Sequence, residues 1–277
     1  MKARHAIVVA LAAAALVVVV GTASAFGTVR DLVLGTTEGS RIAFTSFRNG
    51  NFDLYVMNAD GSKQRRLTTP AGGNSPSASA AWSPDGRRIA FQSGRGMCIL
   101  DGHFVSERNA GSGDVDISIA DADGSGLRRV TRGPGVDCAP AWSPDGRKIA
   151  FQRSLVRREG DRVVGFDFDI YVINADGTGE TALTDNDKWV YWAPYWYKDG
   201  KHIIYTAADH SVMGRPNYDL YWMNIETGKK VRLTFAPGAD VLPVFSPDMT
   251  KLMWTSNRDG RSPTQLYIAD FAAPIER

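Results

Sequence analysis

The sequence predicts an all-β protein: a single β-propeller of four-stranded antiparallel blades, five in number, with its ring closed by an N-terminal strand. Three observations predict it. Short phrases recur along most of the chain, each phrase reads as a strand or a turn, and no stretch carries helical periodicity.

Residues 1–25 read as a secretory signal peptide and 26–277 as the propeller. Lys2, Arg4 and His5 form a basic head. Residues 6–20 (AIVVALAAAALVVVV) are wholly apolar, but that run is shorter than the ~20 residues a spanning helix needs. Ala23 and Ala25 place small residues at the −3 and −1 positions of a cut after Ala25. The expected location is therefore the periplasm, the cell envelope or the medium, with membrane contact only through an uncleaved segment. Export allows Cys98 and Cys138 to pair. That bond would close a loop of about 40 residues, worth about 4 kcal/mol on the chain-entropy model. Two unpaired buried thiols are the alternative.

The repeat begins at Arg41-Ile42-Ala43-Phe44. This phrase returns at Arg88–Phe91 and Lys148–Phe151, then drifts to His202–Tyr205 and Lys251–Trp254. Its second residue recurs at spacings of 47, 60, 54 and 49. A second phrase, D-L/I-Y-V-x-N-A-D-G, stands at Asp53–Gly61, with variants at Asp116–Gly124, Asp169–Gly177 and Asp219–Gly228 and a partial copy at Gln265–Asp270. W-S-P-D-G occurs at Trp82–Gly86 and Trp142–Gly146 and degenerates at Trp196–Gly200 and Phe245–Asp248. A short R-L-T occurs at Arg66–Thr68 and Arg232–Thr234, with variants at Arg129–Thr131 and Ala182–Thr184.

β-Branched and aromatic residues make the first two phrases strands. Ile42 and Phe44 lie on one face and Ala43 on the other, so both faces are apolar, as in a sheet stacked between sheets. Asp60-Gly61, Asp123-Gly124 and Asp176-Gly177 read as tight hairpin turns, and Ser83-Pro84-Asp85-Gly86 as a proline-set turn. The order within a blade is A (ending in W-S-P-D-G), B (R-I-A-F), C (D-L-Y-V) and D (R-L-T). Thr28–Thr36 (TVRDLVLGT) is left over and is expected to serve as strand D of the last blade. Closure removes sheet edges that would otherwise aggregate.

The W-S-P-D-G-R-R-I-A-F and D-L-Y-V-M-N-A-D-G-S phrases, followed by R-L-T, resemble the TolB-like β-propeller repeat family over roughly residues 41–270. That resemblance implies a propeller. Its namesake is periplasmic and binds partners of the cell-envelope Tol–Pal system, and it carries an N-terminal α/β domain. Between the expected cut and the first repeat lie only residues 26–40, so that domain is expected to be missing. Similar repeats occur in pectin-fragment lyases and in the N-terminal domains of prolyl peptidases. Shared fold alone does not carry function.

Composition narrows the function. Beyond the signal segment the chain holds 30 basic and 30 acidic side chains, which offers no field for nucleic acid. Two cysteines exclude a multi-Cys zinc module. No G-x-S-x-G, C-x-x-C or H-E-x-x-H occurs. No cofactor and no metal are expected.

In an A-B-C-D blade the B–C loops and D–A links emerge on one face. The long insertions 94–115, 154–168 and 208–218 are all read as B–C loops and so decorate one rim. The D–A link after Ala182-Leu183-Thr184 adds Asp185, Asp187, Trp189, Tyr191 and Trp192. Tyr and Trp in loops give large contact areas with few rotors. Packing between blades is the competing role for these aromatics. Arg157, Arg158, His103 and His210 are further rim candidates, each otherwise a solvated loop residue.

The expected function is an exported, non-enzymatic propeller that binds a protein partner through this rim. A glycan is the alternative occupant. A carbohydrate-active hydrolase or lyase would need paired carboxylates, for which Asp137, Asp185 and Asp240 are the candidates.

Overall fold

Each repeated phrase forms a strand or a turn, and the strands group in chain order. The structure, a computed structural model, describes residues 17–18, 34–38, 41–46, 48, 53–68, 77–94, 115–185, 188–209, 217–258 and 265–274. Five successive strand groups, blades 1 to 5, appear among them, with no helix. Blade 1 holds β1 (Val17–Val18), β2 (Leu34–Glu38), β3 (Arg41–Ser46), β4 (Asp53–Asn58) and β5 (Arg65–Arg66). Blade 2 holds β6 (Ser77–Trp82), β7 (Arg88–Gly94), β8 (Val115–Asp121) and β9 (Arg128–Arg129). Blade 3 holds β10 (Val136–Trp142), β11 (Lys148–Glu159), β12 (Arg162–Asn174) and β13 (Thr181–Ala182). Blade 4 holds β14 (Trp189–Trp196), β15 (His202–Asp209), β16 (Asp219–Asn224) and β17 (Lys230–Arg232). Blade 5 holds β18 (Asp240–Phe245), β19 (Lys251–Ser256) and β20 (Gln265–Asp270).

Pairing inside each blade is antiparallel. Single parallel contacts clip one blade to the next. They join Val115 to Val136, Phe168 to Val190 and Tyr218 to Ala239. Each clip sits immediately before the aspartate that opens the repeated strand C phrase.

Two expectations about connections are corrected. The N-terminal strand does not lie beside the last blade. From Gly35 onward it pairs with β3 as strand A of blade 1, with Glu38 opposite Arg41. Pairing with the strand that follows closes a far shorter loop than pairing with the last strand group would. Val17–Val18, inside the expected signal segment, pairs with Leu34 and Gly35. No closed sheet appears among the described residues, and no strand of blade 5 contacts a strand of blade 1. The second correction concerns 154–168, which is no loop. β11 and β12 stay paired from Ser154 opposite Phe168 to Glu159 opposite Arg162, with one register shift between Arg157 and Arg158. Gly160, at φ 59°, makes the turn. The Asp-Gly hairpins are also wider than expected: β4 and β5 are joined by residues 59–64, with the Asp60-Gly61 turn inside that stretch.

Strand A carries the same bulge in blades 2 to 5. Its register shifts at 78–81, 138–141, 192–195 and 241–244. Inside each shift a non-glycine residue takes a left-handed backbone: Ser79, Ala139, Ala193 and Leu242, with φ between 49° and 56°. Such a residue costs free energy and persists because the surrounding structure holds it. A bulge bends and twists the strand that carries it.

The core is a series of seams. Leu54 and Val56 of blade 1 pack with Ala80 and Trp82 of blade 2. Ile117 and Ile119 pack with Trp142 and Phe151. Ile170 and Val172 pack with Tyr191, Trp196 and Tyr205. Leu220 and Trp222 pack with Phe245 and Trp254. The tryptophan of W-S-P-D-G also spans a seam. Trp142 Nε1 donates to Ala81 O, and Trp196 Nε1 donates to Ala141 O, both at 3.1 Å. In the turn, Ser83 Oγ donates to Asp85 Oδ1 at 2.6 Å, and Ser143–Asp145 and Ser246–Asp248 repeat the bond.

Phe151 is wholly buried at the seam between blades 2 and 3. Phe151→Ala should lower the unfolding free energy by about 3–5 kcal/mol, read from the urea midpoint at unchanged m-value.

Candidate functional site

The rim that carries the B–C connections and D–A links is ordered by one bonding scheme. At the start of the strand C phrase, the backbone N–H after each aspartate donates to the threonine of R-L-T. Leu54, Ile117, Ile170 and Leu220 donate to Oγ1 of Thr68, Thr131, Thr184 and Thr234 at 2.9–3.0 Å. The aspartate itself meets the arginine of the same phrase. Arg66 meets Asp53 at 2.9 Å, Arg129 meets Asp116 at 2.8 Å and Arg232 meets Asp219 at 2.7 Å. The recurring aspartates are thus each tied to their own blade. Among the described residues no group of three or more His, Cys, Asp or Glu stands close enough to hold a metal ion.

A second acid–base pair joins strands A and B. Arg153 Nε meets Asp137 Oδ1 at 2.7 Å, and its Nη1 meets Glu180 Oε1 at 2.5 Å. Arg258 Nη2 meets Asp240 Oδ2 at 2.8 Å, and Trp254 Nε1 donates to Asp240 Oδ1 at 3.2 Å. These guanidiniums lie over aromatic rings, Arg153 4.6 Å from the centre of Tyr171 and Arg258 4.6 Å from that of Tyr267. Asp137 and Asp240 are therefore buried ion-pair partners in blades 3 and 5, not a facing catalytic pair. Asp185 is exposed on the link after blade 3. Burial pushes the Asp137 carboxyl up against the pull of Arg153.

The aromatic cluster is corrected as well. Trp189, Tyr191 and Trp192 belong to strand β14, not to a loop. Tyr191 is 4% exposed and packs between blades, and Trp192 is 9% exposed and edge-on to Tyr218 at 5.9 Å. Trp189 is half-buried, stacked on Tyr191 at 6.2 Å and edge-on to Tyr221 at 5.8 Å. Alternation along a strand explains the packing, and a stacking surface of three exposed rings is absent. Burial, followed by Asp169 and Asp185, pushes the Tyr191 hydroxyl up to about 12.

Other candidates fall elsewhere. Arg157 and Arg158 lie in the strand β11 extension, at a register shift. Asp187, His103 and His210 lie outside the described residues. Cys138 is buried and disulfide-bonded. Cys98 lies outside the described residues.

One rim residue escaped sequence reasoning. Phe235 is 69% exposed, with the Arg232 guanidinium 4.9 Å from its ring centre. It directly follows the threonine of R-L-T, as do exposed Arg132 and Asp185 in the two preceding blades. Aligning the residues after each R-L-T would have revealed it.

No family model matches the chain. A protein TolB homolog from Chlorobium luteolum is 35% identical over 139 residues, covering 41% of this chain and 31% of the relative. The repeats of this chain are TolB-like β-propeller repeats. Crystallised TolB from Acinetobacter baumannii superposes with a TM-score of 0.58 at 21% identity, covering 86% of this chain and 56% of that one. The TolB-like match is not exclusive. Dipeptidyl-peptidase 5 from Porphyromonas endodontalis is 26% identical over 253 residues, covering 75% of this chain and 33% of the relative. This chain thus spans about a third of the length of the curated relatives it matches.

Burial, with Asp137 nearby, raises the Asp116 carboxyl to about 6 despite the pull of Arg129. The folded state then holds a proton that the unfolded state releases near its ordinary value of 3.8. Stability should fall as pH rises from about 4 to about 6 and level off above, since the native state binds more protons across that window. Asp116→Asn should flatten the slope in urea titrations across that range.

Proposed function

We propose that the chain is an exported, non-enzymatic five-bladed propeller that binds a partner protein through the rim of B–C connections and D–A links. The observation that carries this reading is the run of exposed Arg132, Asp185 and Phe235 at one repeat position on three successive links. An exposed aromatic flanked by both charges fits a protein surface better than a sugar-stacking platform. Relatives named as Tol-Pal system proteins support a protein partner and an envelope location. The residues first suited to paired-carboxylate catalysis support no enzyme, because Asp137 and Asp240 already serve Arg153 and Arg258. Export is consistent with the disulfide at Cys138, for which we take Cys98 as the partner.

In this reading the ring closes by bringing strand A of blade 1 against blade 5. Leu266 is 49% exposed and Ile268 60%. They stand where Leu54 and Val56, Ile117 and Ile119, Ile170 and Val172, and Leu220 and Trp222 are buried in the other blades. Closure would cover them.

Two measurements test these points. Immobilised protein and its Asp185→Ala/Phe235→Asp variant, matched for melting temperature, are exposed to envelope extract. A protein retained by the first and lost by the second is expected, and equal retention by both would remove the rim from the reading. Leu266→Asp with Ile268→Asp should lower stability by several kcal/mol if the ring closes over them. An unchanged urea midpoint would show the seam open.

A further inference from the structure

The seam between blades 3 and 4 departs from its neighbours in one direction: it has lost cations. The seam between blades 2 and 3 pairs Asp116 with Arg129 and Asp137 with Arg153. The seam between blades 4 and 5 pairs Asp219 with Arg232 and Asp240 with Arg258. Between blades 3 and 4, Ala182 lies opposite Tyr171, in the register where Arg66, Arg129 and Arg232 lie opposite Tyr55, Ser118 and Tyr221. Tyr191 faces Ala207 where Asp137 faces Arg153. Asp209 stands four residues after Tyr205, as Arg258 stands four after Trp254.

Asp169 is left with a carboxylate whose described hydrogen-bond partner is the Thr184 hydroxyl at 2.6 Å. It is partly exposed, whereas Asp53, Asp116 and Asp219, each under an arginine, are buried. Lys230 lies 5.3 Å from the Tyr191 ring centre and makes no ion pair with Asp169 among the described residues. Burial first, then Asp167 and Asp185, push the Asp169 carboxyl up, so an arriving cation would relieve both. The same fold thus shows, three times, what belongs against this carboxylate: a guanidinium at 2.7–2.9 Å.

We propose that this seam is the docking slot for an arginine side chain of the partner protein, its guanidinium held by Asp169 in the place that Arg66, Arg129 and Arg232 fill in their own blades. The slot lies on the partner-binding rim and rests on that reading for its occupant. Asp185 on the adjoining link adds negative charge. Arginine suits it better than lysine, because a planar fork matches a carboxylate and stacks on aromatic faces.

The test titrates the full chain, labelled at aspartate carboxyl carbons, with N-acetylarginine amide in the millimolar range, followed by NMR. A saturable shift of the Asp169 carboxyl and a lowered pKa are expected, with a weaker response to N-acetyllysine amide. Ala182 is exposed, so Ala182→Arg has room to fold. That variant should lower the Asp169 pKa without any probe and abolish the probe response. An absent response in the unmodified chain would overturn the proposal. So would a response retained by Ala182→Arg, or equal responses to both probes. The probe needs no partner protein, so a failed titration leaves the rim reading standing, and a failed envelope capture leaves the slot measurable.

Discussion

A four-stranded sheet that is apolar on both faces cannot bury itself, and every other feature of this protein follows from how its blades cover one another. The apolar pair on strand C of blades 1 to 4 is covered by strand A of the following blade, as Ile117 and Ile119 are by Trp142. Each such side chain contributes roughly 1.5–3 kcal/mol by leaving water. The indole of the next blade reaches back to a main-chain carbonyl across the seam, so apolar contact and hydrogen bonding fix the same spacing. The bulge repeated in strand A bends the strand that must make this contact.

The rim adds a second constraint. An aspartate buried at the end of a strand is costly unless a cation meets it, and removing one member of such a pair is worse than removing both. The chain follows that rule in most seams and applies it differently in one. Between blades 3 and 4 one acid–base pair is exchanged whole for Tyr191 and Ala207, which pack without charge. The other pair loses only its arginine, at Ala182, and Asp169 remains partly exposed where its paired counterparts are buried. The aromatic cluster of β14 and the lone carboxylate are two consequences of one local change.

Much of this was legible in the residues and some was misread for physical reasons. The strand and turn phrases appear where their composition places them. Trp189, Tyr191 and Trp192 looked like loop residues because R-L-T has drifted there to Ala182-Leu183-Thr184, which blurs where the link ends. The stretch 154–168 looked like a loop because its charged residues hide a β period that the hairpin register reveals. Phe235 was overlooked because a single aromatic gives no cluster to notice.

By itself the sequence determined the all-β class and the order of strands within a blade. These depend on alternation, turn chemistry and repeat spacing, all of which are local along the chain. Only the tertiary structure decided which aromatics are buried, which carboxylates are paired and where the N-terminal strand lies. Those depend on what folding sets beside each group: a ring is buried by residues of the neighbouring blade, and a carboxylate is met by an arginine on another strand of its own blade, partners that no local pattern names.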